Sequence, residues 1–103
     1  LDYWAISFKE IVNNLDNVFK KEDLKKIKFS FCGGDPKALI FLLNKKYDIN
    51  KIYRTKDSDY IIMTNRASFN INEKETCFTK YPGKNIIEVS RQKLIFSVLR
   101  KLD

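Results

Sequence analysis

Residues 27–46, IKFSFCGGDPKALIFLLNKK, decide the fold. Ile27, Phe29 and Phe31 alternate with polar residues, the period-2 pattern of a strand with one face turned inward. Two glycines then turn the chain. Asp35 stands where a helix N-cap belongs and Pro36 at the first helical position, so residues 37–46 are predicted to form a helix. That helix is apolar nearly all round, which requires cover on more than one face.

A βαβ unit needs a further strand after the helix, and two segments offer one. INKIYRT (49–55) is the weaker. DYIIMTN (59–65) has an unbroken apolar centre, suited to a strand covered on both faces. Strand, helix and strand in this order predict a parallel pair. Further on, NIIEVS and LIFSVLRK, separated by RQK, read as an antiparallel hairpin closing the sheet. Between them, residues 66–83 are irregular and are expected to form a long loop with at most a short helical turn, ending in the turn Tyr81-Pro82-Gly83. Upstream, Phe8, Ile11, Val12, Leu15, Val18 and Phe19 carry helical spacing over 8–19. Ser7 and Glu10 fit a capping box at its start, and Ile6 with Ile11 a hydrophobic staple. The expected fold is α/β: a small mixed sheet of four or five strands with a parallel βαβ core, an antiparallel C-terminal hairpin and two main helices. Its expected core holds Phe8, Ile11, Leu15, Phe29, Phe31, Leu39, Leu42, Ile61, Met63, Val89, Phe96 and Val98.

Composition narrows the chemistry. The 103 residues are 44% hydrophobic and 14% aromatic, enough for one folded domain near the small end of the size range. The chain begins with Leu and carries neither a leader pattern nor an apolar run of about 18 residues, so residues 1–103 read as a single soluble domain excised from a larger protein. The net charge is +7, which raises nucleic acid as a partner. Yet 16 of the 20 basic residues are Lys and only 4 are Arg, and base-edge readout leans on the Arg fork. No nucleic-acid partner is therefore expected. There is no histidine, which removes the commonest general base near neutral pH, the Ser-His and Cys-His nucleophiles and any His-containing zinc site. Cys32 and Cys77 lie far from CxxC spacing, so no metal is expected there and a structural or redox pair stays open.

The remaining candidates are few. Gly33 and Gly34 before a helix could bring backbone amides to a phosphate, but neither phosphate-loop fingerprint is present and Asp35 would occupy those amides. Asp57 and Asp59 form a DxD pattern, placed at the entrance of the strong strand rather than at its exit facing a pocket. No catalytic residue is assigned. Asn65 and Arg66 stand at that strand's exit, where open α/β sheets place their crevices. Tyr81 reads as a turn residue with a half-buried ring, the alternative being a sugar platform. Tyr3 and Trp4 either pack under the first helix or mark where a chain leaves a bilayer.

Three blocks of the sequence resemble one family. DYWAISFKE (2–10) is similar to the DYWG-S-KE stretch that follows the last transmembrane segment in bacterial polytopic proteins of the dolichyl-phosphate-mannose protein mannosyltransferase-like superfamily. DSDYIIMTNR (57–66) resembles the ADY-(I/L/V)-TNYR segment of the same C-terminal domain, and YPGKNIIEVSRQKLIFSVLRK (81–101) its closing hairpin. Ala5 stands where the family usually has Gly, and RQK replaces a Gly-containing turn. The resemblance implies an extracytoplasmic, periplasmic-side domain of a membrane glycosyltransferase, tethered by upstream transmembrane helices. In that family the catalytic acids, any divalent metal and the polyprenyl-phosphate sugar donor belong to the membrane part, so no cofactor is expected in this domain. The implied partners are the membrane portion of the same polypeptide, an acceptor glycan or lipid headgroups. The implied docking edge is near Tyr3, Trp4, Gly33, Gly34, Asn65, Arg66 and Tyr81. An exported setting also permits a disulfide between Cys32, at the end of the first strand, and Cys77, in the long loop. The alternative function is a free-standing basic module binding nucleic acid or another acidic partner.

Overall fold

Two short strands, β1 (Phe29–Cys32) and β2 (Tyr60–Thr64), run parallel with Phe29 opposite Tyr60 and Cys32 opposite Met63. The structure is a computed structural model that describes residues 3–65 and 76–103, with the side chains of the first helix described from Ile6. The hairpin strands are β3 (Gly83–Arg91) and β4 (Leu94–Leu102). β4 pairs antiparallel with β2 on one side and β3 on the other, giving a four-stranded mixed sheet in the order β1-β2-β4-β3. The two main helices are α1 (Tyr3–Asn13) and α3 (Pro36–Tyr47). Two single-turn helices, α2 (Lys21–Leu24) and α4 (Cys77–Lys80), complete the set. The expected α/β fold, with its parallel pair and C-terminal hairpin, is the fold observed.

The period of two along β2 explains the layering. Ile62 faces one side, where it joins Phe8, Ile11, Val12 and Leu15 of the α1 region, Leu39, Leu43 and Tyr47 of α3, and Phe29, Val89 and Leu99 of the sheet. Ile61 and Met63 face the other side, where Val98 and Cys77 complete a smaller cluster under α4. Both faces of β2 are thus covered, as its unbroken apolar run requires.

Helix α3 begins as its sequence dictates. Asp35 Oδ1 accepts the Lys37 N–H at 3.0 Å, Pro36 fills the first turn, and Asp48 ends the helix in the left-handed region at φ 59°. The Tyr47 hydroxyl donates to the Val12 carbonyl at 2.6 Å, tying the two main helices together.

Four readings are corrected. Helix α1 starts at Tyr3, four residues before Ser7, so there is no capping box and no Ile6–Ile11 staple. Ser7 is buried mid-helix and hydrogen-bonds Ser97 of β4 through their hydroxyls, while Glu10 pairs with Arg91 at 2.8 Å. The helical spacing over 8–19 is cut at Asn13. Beyond it the Asn14 side chain donates to the Glu10 carbonyl at 2.7 Å and a 3-10 turn follows at Leu15–Asn17, leaving Val18 exposed. Residues 49–55 are no strand: Tyr53 N–H reaches the Phe29 carbonyl at 2.8 Å, one bond where a ladder needs several, while Ile49 anchors the segment in the core. In the core itself Phe31 and Leu42 are half-buried against it, and Leu43 takes the buried position on α3.

Candidate functional site

The carboxyl ends of β1 and β2 lie side by side, and there the structure gathers most of the candidate residues. Gly33 follows β1 with φ 94°, a conformation that L side chains rarely adopt. A Cβ at this position would also come within 2.7 Å of the Thr64 carbonyl oxygen and 3.3 Å of Cys77 Sγ. The chain turns tightly because the Thr64 hydroxyl, fully buried, donates to the Gly33 carbonyl. A disulfide joins Cys32 to Cys77, whose Cα atoms stand 5.9 Å apart, and so ties the end of β1 to the first turn of α4.

Asn65 lies at the same edge and is used internally. Its backbone N–H donates to the Phe96 carbonyl at 2.7 Å and its side-chain amide to the Ile95 carbonyl at 3.3 Å, so it fastens the exit of β2 to the start of β4. Tyr81 packs half-buried in the cluster that holds Cys77, with Lys80 Nζ 5.5 Å from its ring centre. Arg66 and the side chains of Tyr3 and Trp4 lie outside the described residues.

One residue that sequence reasoning missed organises this side of the sheet. Arg100 on β4 sends Nη1 to the Phe78 carbonyl at 2.6 Å and to the Tyr81 carbonyl at 2.7 Å, and its Nε to Asn85 Oδ1 at 2.7 Å. The guanidinium also lies 5.8 Å from the Phe78 ring. Its planar fork is suited to several carbonyls at once, where a lysine would be a point charge. Only its place among four arginines in a lysine-rich chain pointed to it.

The acids stand elsewhere. Asp59 Oδ2 accepts the Lys28 backbone N–H at 3.1 Å, and Asp57 sits 3.6 Å from Arg54, both at the entrance of β2. No three acidic, cysteine or histidine side chains converge on a point among the described residues. No helix among them is long and apolar enough to cross a membrane. Among the described residues at the carboxyl edge, the Thr64 hydroxyl, the Asn65 amide and the Arg100 guanidinium are held in internal hydrogen bonds, and the disulfide staples the end of β1 to α4. In comparisons with protein-family models, curated proteins and solved structures, nothing matched this chain.

Proposed function

We propose that this chain is a non-catalytic accessory domain of a membrane glycosyltransferase that uses a lipid-linked sugar donor, contributing acceptor binding or docking to the membrane portion. The resemblance of three ordered blocks is its origin. The observation that supports it most is the Cys32–Cys77 disulfide, because such bonds persist in exported rather than cytosolic settings. The blocks also meet in space: α1, from the first, packs on β2 from the second and on β3 and β4 from the third. In this reading the stapled edge at Gly33, Gly34 and Asn65, with Tyr81 behind it, carries the docking. Asp57 and Asp59, engaged with Arg54 and the Lys28 backbone, serve the fold. The nucleic-acid alternative is disfavoured by the small share of arginine, and of the described arginines Arg91 pairs with Glu10 and Arg100 is held by the Phe78 and Tyr81 carbonyls.

Two measurements test this. The purified chain, supplied with divalent metal and polyprenyl-phosphate or nucleotide sugars, is expected to transfer no sugar. Turnover abolished by Asp57→Asn or Asp59→Asn overturns the non-catalytic assignment. In cells making the protein from its native gene, Cys32 and Cys77 are expected to resist a thiol reagent until a reductant is added; free thiols remove the exported location.

A further inference from the structure

Around α3, the buried residues Leu39, Leu43 and Tyr47 recur every four positions and mark the inward face. Successive residues turn by about 100°, so the opposite face is centred on Phe41, with Lys37, Asn44 and Lys45 beside it. Phe41 is 65% exposed, the most exposed large apolar side chain among the described residues. An open groove of about 630 Å³ borders this face, formed with α2 and lined by Lys21, Lys25, Lys45 and Lys46. Glu22 and Asp48 are the acids lining it. Asp48 meets Lys25 at 3.2 Å in a pair that is well exposed on both sides and so weak. No ion pair ties Lys21, Lys37 or Lys45 among the described residues.

We infer that this face, an exposed phenylalanine flanked by Lys37 and Lys45 and bordered by a lysine-lined groove, docks the domain onto an anionic lipid surface. A phenylalanine costs solvation free energy where it stands and recovers it by entering the boundary between headgroups and acyl chains. Lysines around it meet spread negative charge, a task that needs point charges and no bidentate fork. The outer face of a helix is convex and suits a flat surface better than it wraps a strand. Helix α3 carries no arginine, the side chain that base-edge readout would favour, and of the described arginines Arg91 pairs with Glu10 and Arg100 is held by carbonyls beneath α4. The inference goes beyond the accessory-domain reading and stands without it, since partition onto vesicles requires no sugar chemistry.

The test is co-sedimentation of the 103-residue chain with vesicles of phosphatidylcholine alone or mixed with phosphatidylglycerol. Binding is expected only to the mixed vesicles and is expected to fall as salt rises. Lys37→Glu and Lys45→Glu should each weaken it about fivefold or more, and Phe41→Ser about tenfold. Lys84→Glu and Lys101→Glu, made singly at exposed partners on β3 and β4, each change the net charge by the same amount as Lys37→Glu or Lys45→Glu and should leave partition within about twofold. Three results overturn the inference: no partition onto mixed vesicles, an equal loss in the β3–β4 control, or tighter binding to a single-stranded oligonucleotide than to mixed vesicles at the same salt. Far-UV circular dichroism of each variant checks that the exposed substitutions leave the fold intact.

Discussion

Reducing the Cys32–Cys77 bond should cost this domain a large part of its stability. The two cysteines are 45 positions apart, and the bond closes the loop that contains α3 and β2 and ends at the first residue of α4. In the chain-entropy description, a loop of that length removes about 4 kcal/mol of freedom from the unfolded ensemble at 25 °C. Against a total of about 5–15 kcal/mol for a domain, that is a major share. The native contacts do not all depend on the bond: Arg100 still holds the Phe78 and Tyr81 carbonyls, and Ile61, Met63 and Val98 still pack beneath α4. The native state should therefore survive reduction, with a net loss of about 2–4 kcal/mol. Urea denaturation followed by far-UV circular dichroism measures this for oxidised protein, reduced protein and the Cys32→Ala/Cys77→Ala variant. The midpoint should fall by roughly 1–2 M urea in both altered forms. A loss below about 1 kcal/mol in both would refute the reasoning, because the entropic term does not depend on side-chain chemistry.

Three other outcomes follow from particular contacts. Tyr47→Phe leaves the Val12 carbonyl without its buried donor and should cost about 1–2 kcal/mol in the same denaturation assay. Gln92 and Lys93 form the hairpin loop with φ 52° and 68°, both left-handed, so Gln92→Asn with Lys93→Gly should raise stability by about 1 kcal/mol, seen as a Tm increase of roughly 4–8 °C. Arg100→Met removes three hydrogen bonds, two to carbonyls of the α4 turn and one to Asn85 on β3, and should cost about 2–3 kcal/mol, with Arg100→Lys recovering less than half of that, as read by urea midpoints.

The parts of the fold legible in the sequence were those fixed by local rules. Asp35 and Pro36 announced the start of α3, the unbroken run in DYIIMTN announced a strand covered twice, and the two apolar runs around RQK announced the hairpin. The misreadings arose where a distant partner decided. Ser7 and Glu10 match a capping box, yet their partners are Ser97 and Arg91 on β4 and β3, and no nearest-neighbour rule sees across that distance. INKIYRT has strand-like residues, but the open edge of β1 offered it one hydrogen bond. The candidate edge was legible as a place, since strand exits and glycine turns mark it. The internal use of Asn65 and the reach of Arg100 depend on how β4 seats beside β2.

That seating has a temporal consequence. β4 lies between β2 and β3, and its last residue, Leu102, donates a backbone hydrogen bond to the Asp59 carbonyl at 3.2 Å. During synthesis the chain emerges with α1, β1 and β2 first, so α1 has no completed sheet to settle on until residues 94–102 have left the ribosome. Native assembly must wait for the final strand, and long-range pairing of this kind is slow to nucleate.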